Sequence, residues 1–187
     1  MIAVFGLGNP GSNYDNTRHN IGFRVIGRTA AKLGLELKES KNTPAMYART
    51  DDYELIAPLT YVNNSGEAVT KVCQKHNVNL GDIWVVHDDT EITFGEMRVK
   101  RGGTSGGHNG IKSIDEAIGS DYWRIRVGVG RPENRNFDLA AYVLSNFSAE
   151  EKEHLPKIID RVTDFLVQSL KDKQLQPITF NGTTKNN

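Results

Sequence analysis

The sequence predicts an α/β fold: a single domain with a mixed central β-sheet and helices on both faces, in three layers. Short apolar runs alternate along the chain with amphipathic helical patterns, which is the arrangement of α/β proteins. Residues 83–87 are almost continuously apolar, as expected for a central strand that is covered on both faces. We expect residues 1–176 to form this domain and residues 177–187 to form a polar, frayed C-terminal tail.

The individual elements follow from the spacing of the apolar residues. Residues 2–5 predict a buried strand, and residues 20–33, which are apolar at helical spacing, predict the first helix. Two short runs on either side of Asp51 and Asp52 predict a hairpin, with strands at 45–50 and 53–57. The remaining predictions are strands at 83–87, 96–101 and 123–129, and helices at 66–76, 111–118 and from a capping box at Ser148 to about Lys173.

Composition narrows the classes of protein that fit. The 23 basic and 23 acidic side chains balance, but residues 98–135 carry eight Lys/Arg against four Asp/Glu. Such a stretch suits either a small contact with a partner that carries phosphate groups or an ordinary mixed-charge surface. The lone cysteine, Cys73, excludes a disulfide framework and a multi-cysteine metal site. Because neither a signal peptide nor a long apolar run is present, we expect a cytoplasmic protein with no membrane contact. We also expect a monomer with no obligate protein partner, since the sequence shows no coiled-coil or obvious dimer helix.

Glycines 6, 8 and 11 follow the first predicted strand with the G-x-G-x-x-G spacing of a dinucleotide-binding turn. A nucleotide site needs the third glycine to open a helix whose amides hold the pyrophosphate. Here Gly11 is followed by nine residues without apolar periodicity, and the helical pattern starts only near Ile21. We therefore interpret the turn as a catalytic loop carrying Asn9 and His19. A non-catalytic module that binds a dinucleotide or RNA is the alternative.

A second pattern is typical of serine hydrolases. Residues 103–107 read G-x-S-x-G between a predicted strand and a predicted helix, and Ser105, Asp138 and His154 follow in the order of such a triad. The loop continues through further glycines to position 110, which is too glycine-rich for one strained turn. His154 also falls in the first turns of a predicted helix. We therefore do not favour this alternative.

A third pattern has metal-ligand residue types. His87, Asp89 and Glu91 would share one face of an extended strand, opposite Asp88. Nothing else in the sequence completes a metal shell around them. We therefore expect neither a metal nor a cofactor.

Several sequence blocks together resemble the bacterial peptidyl-tRNA hydrolase family. Each block alone is weak evidence, but they occur in the order of the family and span residues 1 to about 150, which makes the combination specific. The blocks are Gly6-Leu7-Gly8-Asn9-Pro10-Gly11, Tyr14, Thr17-Arg18-His19-Asn20-Ile21-Gly22, Thr60-Tyr61-Val62-Asn63-Asn64-Ser65-Gly66, His87-Asp88-Asp89, Gly106-Gly107-His108-Asn109-Gly110 and Trp123-Arg124-Ile125-Arg126-Val127-Gly128-Val129-Gly130-Arg131-Pro132.

The resemblance implies hydrolysis of the ester that joins a peptide to the 3′ end of tRNA, with peptidyl-tRNA as the substrate. His19 matches the general base of the family, Asp88 the acid that keeps it basic, and Asn9 the position that distinguishes blocked from free aminoacyl groups. Matches to the remaining functional positions of the family are Tyr14, Tyr61, Asn63 and Asn109 for substrate binding, and Lys100 and Arg126 for a grip on a tRNA phosphate.

The chemistry of these residue types agrees with that implication. An aminoacyl ester is already activated, so a positioned water and a base of near-neutral pKa suffice, and histidine meets that need. A carboxylate such as Asp88 on one ring nitrogen fixes the tautomer and leaves the other nitrogen free to accept a proton. Amides such as Asn9 and Asn63 provide both donors and acceptors for a neutral, N-blocked substrate.

Overall fold

One mixed β-sheet of eight strands runs through the described part of the chain, residues 1–132 and 137–181 of the computed structural model. The strands are β1 (Ile2–Gly6), β2 (Lys38–Glu39), β3 (Ala45–Arg49), β4 (Tyr53–Pro58), β5 (Ile83–Asp89), β6 (Glu96–Arg101), β7 (Trp123–Gly128) and β8 (Ile178–Asn181). Their order across the sheet is β2-β3-β4-β1-β5-β7-β6-β8. The central strands β4, β1, β5 and β7 pair in parallel, and the outer strands on both sides pair antiparallel.

Helices cover both faces of the sheet, which confirms the predicted three-layer α/β fold. Alternation along β1 divides the core: Val4 packs with apolar residues of two helices on one face, whereas Ala3 and Phe5 pack with residues of two helices on the other. None of the helices in the described ranges has both the length and the apolar character needed to cross a bilayer. The helices are α1 (Ile21–Lys32) and α5 (Ala149–Asp172) on the first face, α2 (Ser65–His76) and α3 (Asn109–Ile118) on the second, and the short α4 (Leu139–Val143).

The prediction of a frayed tail is wrong for residues 178–181, which form the edge strand β8. Its backbone pairs with β6, with Phe180 opposite Met97. The Phe180 ring also lies 6.3 Å from that of Phe165 on α5. Contacts with parts of the chain far away in sequence therefore order a segment that is short and polar by itself. The rest of the predicted tail, residues 182–187, lies outside the described residues.

The start of α1 packs directly beneath the glycine turn, and Gly22 makes this close approach possible. The Leu7 amide donates to the Val86 carbonyl at 2.9 Å, and the Phe23 amide donates to the Leu7 carbonyl at 3.2 Å. A Cβ placed on Gly22 would collide with the Leu7 backbone and with the Val86 carbonyl. This contact places the beginning of α1 against the ends of β1 and β5.

We expect Gly22→Ala to lower the free energy of unfolding by about 3 kcal/mol or more, because the added methyl meets backbone that cannot move aside. Gly27 on the same helix is the matched control. A Cβ there has no atom within 4 Å, so Gly27→Ala should raise the free energy of unfolding by about 0.5–1 kcal/mol. Urea unfolding of both variants measures the difference. Equal stability of the two variants would contradict the close approach.

Candidate active site

A cleft of about 590 Å³ opens at the carboxyl ends of β1 and β5, where α/β sheets commonly hold their ligands. The two strands pair in parallel, so the residues that follow β1 lie beside those that end β5. The structure brings seven of the predicted site residues together in the lining of this cleft: Asn9, Tyr14, His19, Tyr61, Asn63, Asp88 and Asn109.

His19 and Asp88 form a buried pair at the base of the cleft. His19 lies in a 3-10 turn (Arg18–Asn20) between β1 and α1, and Asp88 lies near the end of β5. The His19 Nδ1 is 2.8 Å from the Asp88 Oδ1, with 9% of His19 and 2% of Asp88 exposed. A carboxylate can only accept here, so Nδ1 carries the proton and Nε2 is left as the basic nitrogen.

The proton affinities of this pair reflect its mutual charge. Burial lowers the pKa of His19, but the Asp88 carboxylate and its hydrogen bond outweigh burial and raise that pKa above its ordinary value. Burial raises the pKa of the Asp88 carboxyl, yet interactions with His19 and then His108 hold it far below its usual range. Asp88 is therefore ionised near pH 7, and His19 holds a proton more tightly than an ordinary histidine does.

Sequence reasoning missed His108, which is the second partner of Asp88. It is the N-cap of α3, and its Nδ1 accepts the Ile111 amide proton at 3.2 Å. Its Nε2 lies 3.0 Å from the same Asp88 oxygen that binds His19, and the His19 and His108 rings are 4.8 Å apart. The sequence feature that could have identified His108 is its position at the end of a glycine loop, immediately before a helix.

The cluster of His19, Asp88 and His108 also has the residue types of a metal site. Their potential ligand atoms lie within 4.8 Å of one another. However, a neutral His108 that bound a metal through Nε2 would carry its proton on Nδ1, facing the Ile111 amide proton that Nδ1 now accepts. The arrangement thus fits two N–H donors around a carboxylate better than a metal, and the absence of a metal stays a prediction.

Asn9 is held in the turn by a reciprocal clasp with Asn20. The Asn9 amide donates to the Asn20 Oδ1, and the Asn20 Nδ2 donates back to the Asn9 carbonyl, both at 2.9 Å. The side-chain Oδ1 of Asn9 accepts the Val62 amide proton, also at 2.9 Å. Since the oxygen of the Asn9 side chain is used internally, the group that Asn9 offers to the cleft is the Nδ2 donor.

The turn that carries His19 is anchored by its neighbour, Arg18. This guanidinium is buried and stacks over the Tyr142 ring, 4.2 Å from its centroid. It donates to the Asn146 carbonyl at 2.6 Å and pairs with Glu151 at 2.5 Å. Arg18 therefore ties the turn that carries His19 to α4 and α5, a role visible only once residues 124 or more positions apart are brought together.

The walls of the cleft differ in character. The Tyr14 and Tyr61 rings meet edge to face at 6.3 Å on one side. The short helix α4, whose Leu139 is partly exposed and which is followed by the exposed Leu144, supplies apolar surface. The cleft thus combines amide groups with an apolar wall, the character of a site that binds an uncharged organic group.

Lys100 and Arg126 lie outside the lining of the cleft, on the neighbouring strands β6 and β7. Arg126 is joined to the cleft through Asp89, a lining residue whose Oδ2 accepts from the Arg126 Nε at 2.7 Å. Lys100 is exposed and extends against the backbone of Gly103. The structure therefore places two cations beside the cleft rather than in it.

The two alternative chemistries lose their geometric basis in the structure. Ser105 lines the cleft, but the Asp138 carboxylate caps α4 by accepting the Ala140 amide proton, and His154 is exposed on α5. These three residues therefore form no triad.

The face that His87, Asp89 and Glu91 would share on an extended strand is likewise not formed. The strand ends at Asp89, and Glu91 pairs with Arg131 beyond it. His87 is buried and its Nδ1 donates to the Asp88 carbonyl at 2.7 Å. Burial, reinforced by His108, lowers the pKa of His87 to about 3, so this ring is neutral near pH 7.

Comparison with known proteins identifies one family. The family model described as peptidyl-tRNA hydrolase matches residues 3–187. The chain is 48% identical to a peptidyl-tRNA hydrolase of Rickettsia typhi over 88% of this chain and 90% of that protein. It is 40% identical to one of Sulfurimonas denitrificans over 99% and 98%. The crystal structure of the peptidyl-tRNA hydrolase of Acinetobacter baumannii superimposes with a TM-score of 0.82 at 32% identity, covering 91% of this chain and 87% of that one.

Proposed function

Because the chain belongs to the peptidyl-tRNA hydrolase family, we propose that it hydrolyses the ester between an N-blocked peptide and the 3′ end of tRNA, using a water that His19 activates. The observation that carries the mechanism is the buried pair of His19 and Asp88 in the cleft. With Nδ1 bound to Asp88, the Nε2 of His19 is the nitrogen that takes a proton from water.

The proposed reaction needs only water and this pair. Hydroxide generated at His19 attacks the ester carbonyl, and the resulting tetrahedral oxyanion is stabilised by amide donors, first of all the Nδ2 of Asn9. When the carbon–oxygen bond breaks, the His19 imidazolium returns its proton to the 3′ oxygen of tRNA. The products are the peptide acid and free tRNA, and the ionised Asp88 stabilises the imidazolium throughout.

The preference for a blocked amino group follows from the charges around the cleft. A free α-ammonium needs an acceptor or a counter-charge when it leaves water. The two carboxylates in the described part of the cleft lining are both engaged, Asp88 by two histidines and Asp89 by Arg126. Asn63 and Asn109, which are exposed in the lining, provide neutral groups for a peptide amide instead.

The tRNA end of the substrate is proposed to lie along β6 and β7. Lys100 and Arg126 there supply positive charge next to the cleft, on adjacent strands of the sheet. Ion pairing with Asp89 fixes the orientation of the Arg126 guanidinium. A few such contacts suit one or two phosphates close to the ester rather than a long duplex footprint.

The substrate class is tested with one tRNA that carries the same amino acid either N-acetylated or free. We expect ester loss from the acetylated form to be at least about tenfold faster in kcat/KM, because the free ammonium is left without a partner. Acid-precipitable label measures both reactions. Equal rates on the two substrates would contradict the proposed basis of selectivity. Saturable tRNA binding with no ester cleavage would instead favour a non-catalytic RNA-binding module.

A further inference from the structure

His108 is held in a single tautomer by the start of helix α3. As the N-cap residue, it accepts the Ile111 amide proton at Nδ1, and a ring nitrogen that accepts a hydrogen bond carries no proton. The ring proton therefore lies on Nε2, and the Nε2–H donates to the Asp88 Oδ1 at 3.0 Å. The helix cap thereby determines that His108 presents an N–H donor to the pair of Asp88 and His19.

Two N–H groups consequently share one carboxylate oxygen. The His19 Nδ1 lies 2.8 Å from the Asp88 Oδ1, and the His108 Nε2 approaches the same atom. Each donor stabilises the ionised carboxylate and withdraws part of its negative charge. Because the imidazolium form of His19 depends on that charge, the second donor weakens the hold of His19 on its proton.

We infer that His108 is a positioning residue, fixed by the cap of α3 in its Nε2–H form, that aims Asp88 and sets the proton affinity of His19. The inference rests on the proposed role of His19 as the base. A base that binds its proton too tightly is already protonated at neutral pH and cannot activate water. His108 thus limits the proton affinity of His19, which leaves the Nε2 of His19 free to accept the proton of the water.

The other charged groups around His19 are engaged elsewhere. Arg18 pairs with Glu151 from α5, and Asp89 on β5 pairs with Arg126 on β7. His87 is neutral near pH 7 because of its burial. The remaining titratable residues in the described lining of the cleft are Tyr14 and Tyr61. Among these neighbours, His108 is the one that shares the Asp88 oxygen with His19.

Two substitutions separate the helix cap from the hydrogen bond to Asp88. In His108→Asn, the side-chain oxygen can replace Nδ1 as the cap, since Asn is a favourable N-cap residue, but nothing reaches Asp88. In His108→Gln, the side-chain nitrogen can replace Nε2 as the donor, while the cap is poor. His154→Asn, at an exposed position on α5, is the control for the substitution itself.

The test combines the pH dependence of kcat/KM with an NMR titration of His19. We expect His108→Asn to raise the pKa of His19. The ratio of kcat/KM at pH 6 to its plateau value should then be about fivefold lower than in the unaltered enzyme, which corresponds to the net worth of one hydrogen bond. His108→Gln should restore the native profile. A native profile in the Asn variant, or a change in the Gln variant alone, would show that His108 acts only as a cap.

The NMR titration keeps this inference separate from the proposed mechanism. If the acid limb of the unaltered enzyme does not coincide with the titration of His19, the proposed base is wrong. The effect of His108 on the proton affinity of His19 is still decided by the same NMR titration of the two variants, because that measurement does not depend on turnover.

Discussion

His19→Ala is expected to lower kcat on N-acetylated aminoacyl-tRNA by about 10²–10⁴-fold, the usual contribution of a positioned general base. The loss should fall on kcat, because His19 acts on the water and the substrate is held mainly by other groups in the cleft. Asn9, Asn63 and Asn109 remain in place to bind the peptide end. Binding of an uncleavable amide analogue of peptidyl-tRNA should therefore change by less than about threefold.

Single-turnover ester cleavage and filter binding measure the two quantities separately. His154→Ala is the matched control, since it removes an exposed imidazole from α5 and should leave both quantities unchanged. Turnover of the His19 variant within threefold of the unaltered enzyme would eliminate the proposed base. A parallel loss of binding and turnover would instead assign His19 to substrate binding.

Most of the fold could be predicted because its signals are local. The buried strand at the start of the chain and the capping box of α5 lie where the patterns of apolar and capping residues put them. The errors concern elements stabilised by distant contacts. The strand β8 depends on pairing with β6, and the five-residue helix α4 lies above the turn of His19, held there by Arg18. Neither is long enough to show a period of its own.

The site divides in the same way. The resemblance to a known family predicted site roles for His19, Asp88 and Asn9, and the structure brings all three into one cleft. His108 was not predicted as a functional residue for two reasons. Its role as a cap requires α3 to begin at Asn109, two residues before the predicted start, and its bond to Asp88 spans 20 positions. A contact of this kind cannot be predicted from the spacing of the two residues in the sequence.

Asp88→Asn is expected to lower kcat by about 10²-fold or more while leaving the fold intact, because the imidazolium of His19 loses its counter-charge. The same Asp88 oxygen accepts from His19 and from His108, so the amide oxygen of the substituted side chain takes its place and keeps both hydrogen bonds. The neutral amide leaves the tautomer of His19 unchanged but stabilises the protonated ring much less than the carboxylate does. His19 therefore takes the proton of the water less readily.

The role of the Asp88 carboxylate also predicts the direction in which the pH dependence of kcat/KM shifts in Asp88→Asn. In the unaltered enzyme, Asp88 raises the pKa of His19 above its ordinary value, so kcat/KM should fall as pH drops through that raised pKa. Without the carboxylate, burial acts on His19 unopposed and lowers its pKa, so the acid limb of Asp88→Asn should move to lower pH.

Asp89→Asn serves as the contrast, because Asp89 pairs with Arg126 and makes no bond to His19. It should raise KM and leave the limb in place. An acid limb that stays fixed in Asp88→Asn would refute the role of Asp88 in controlling the base.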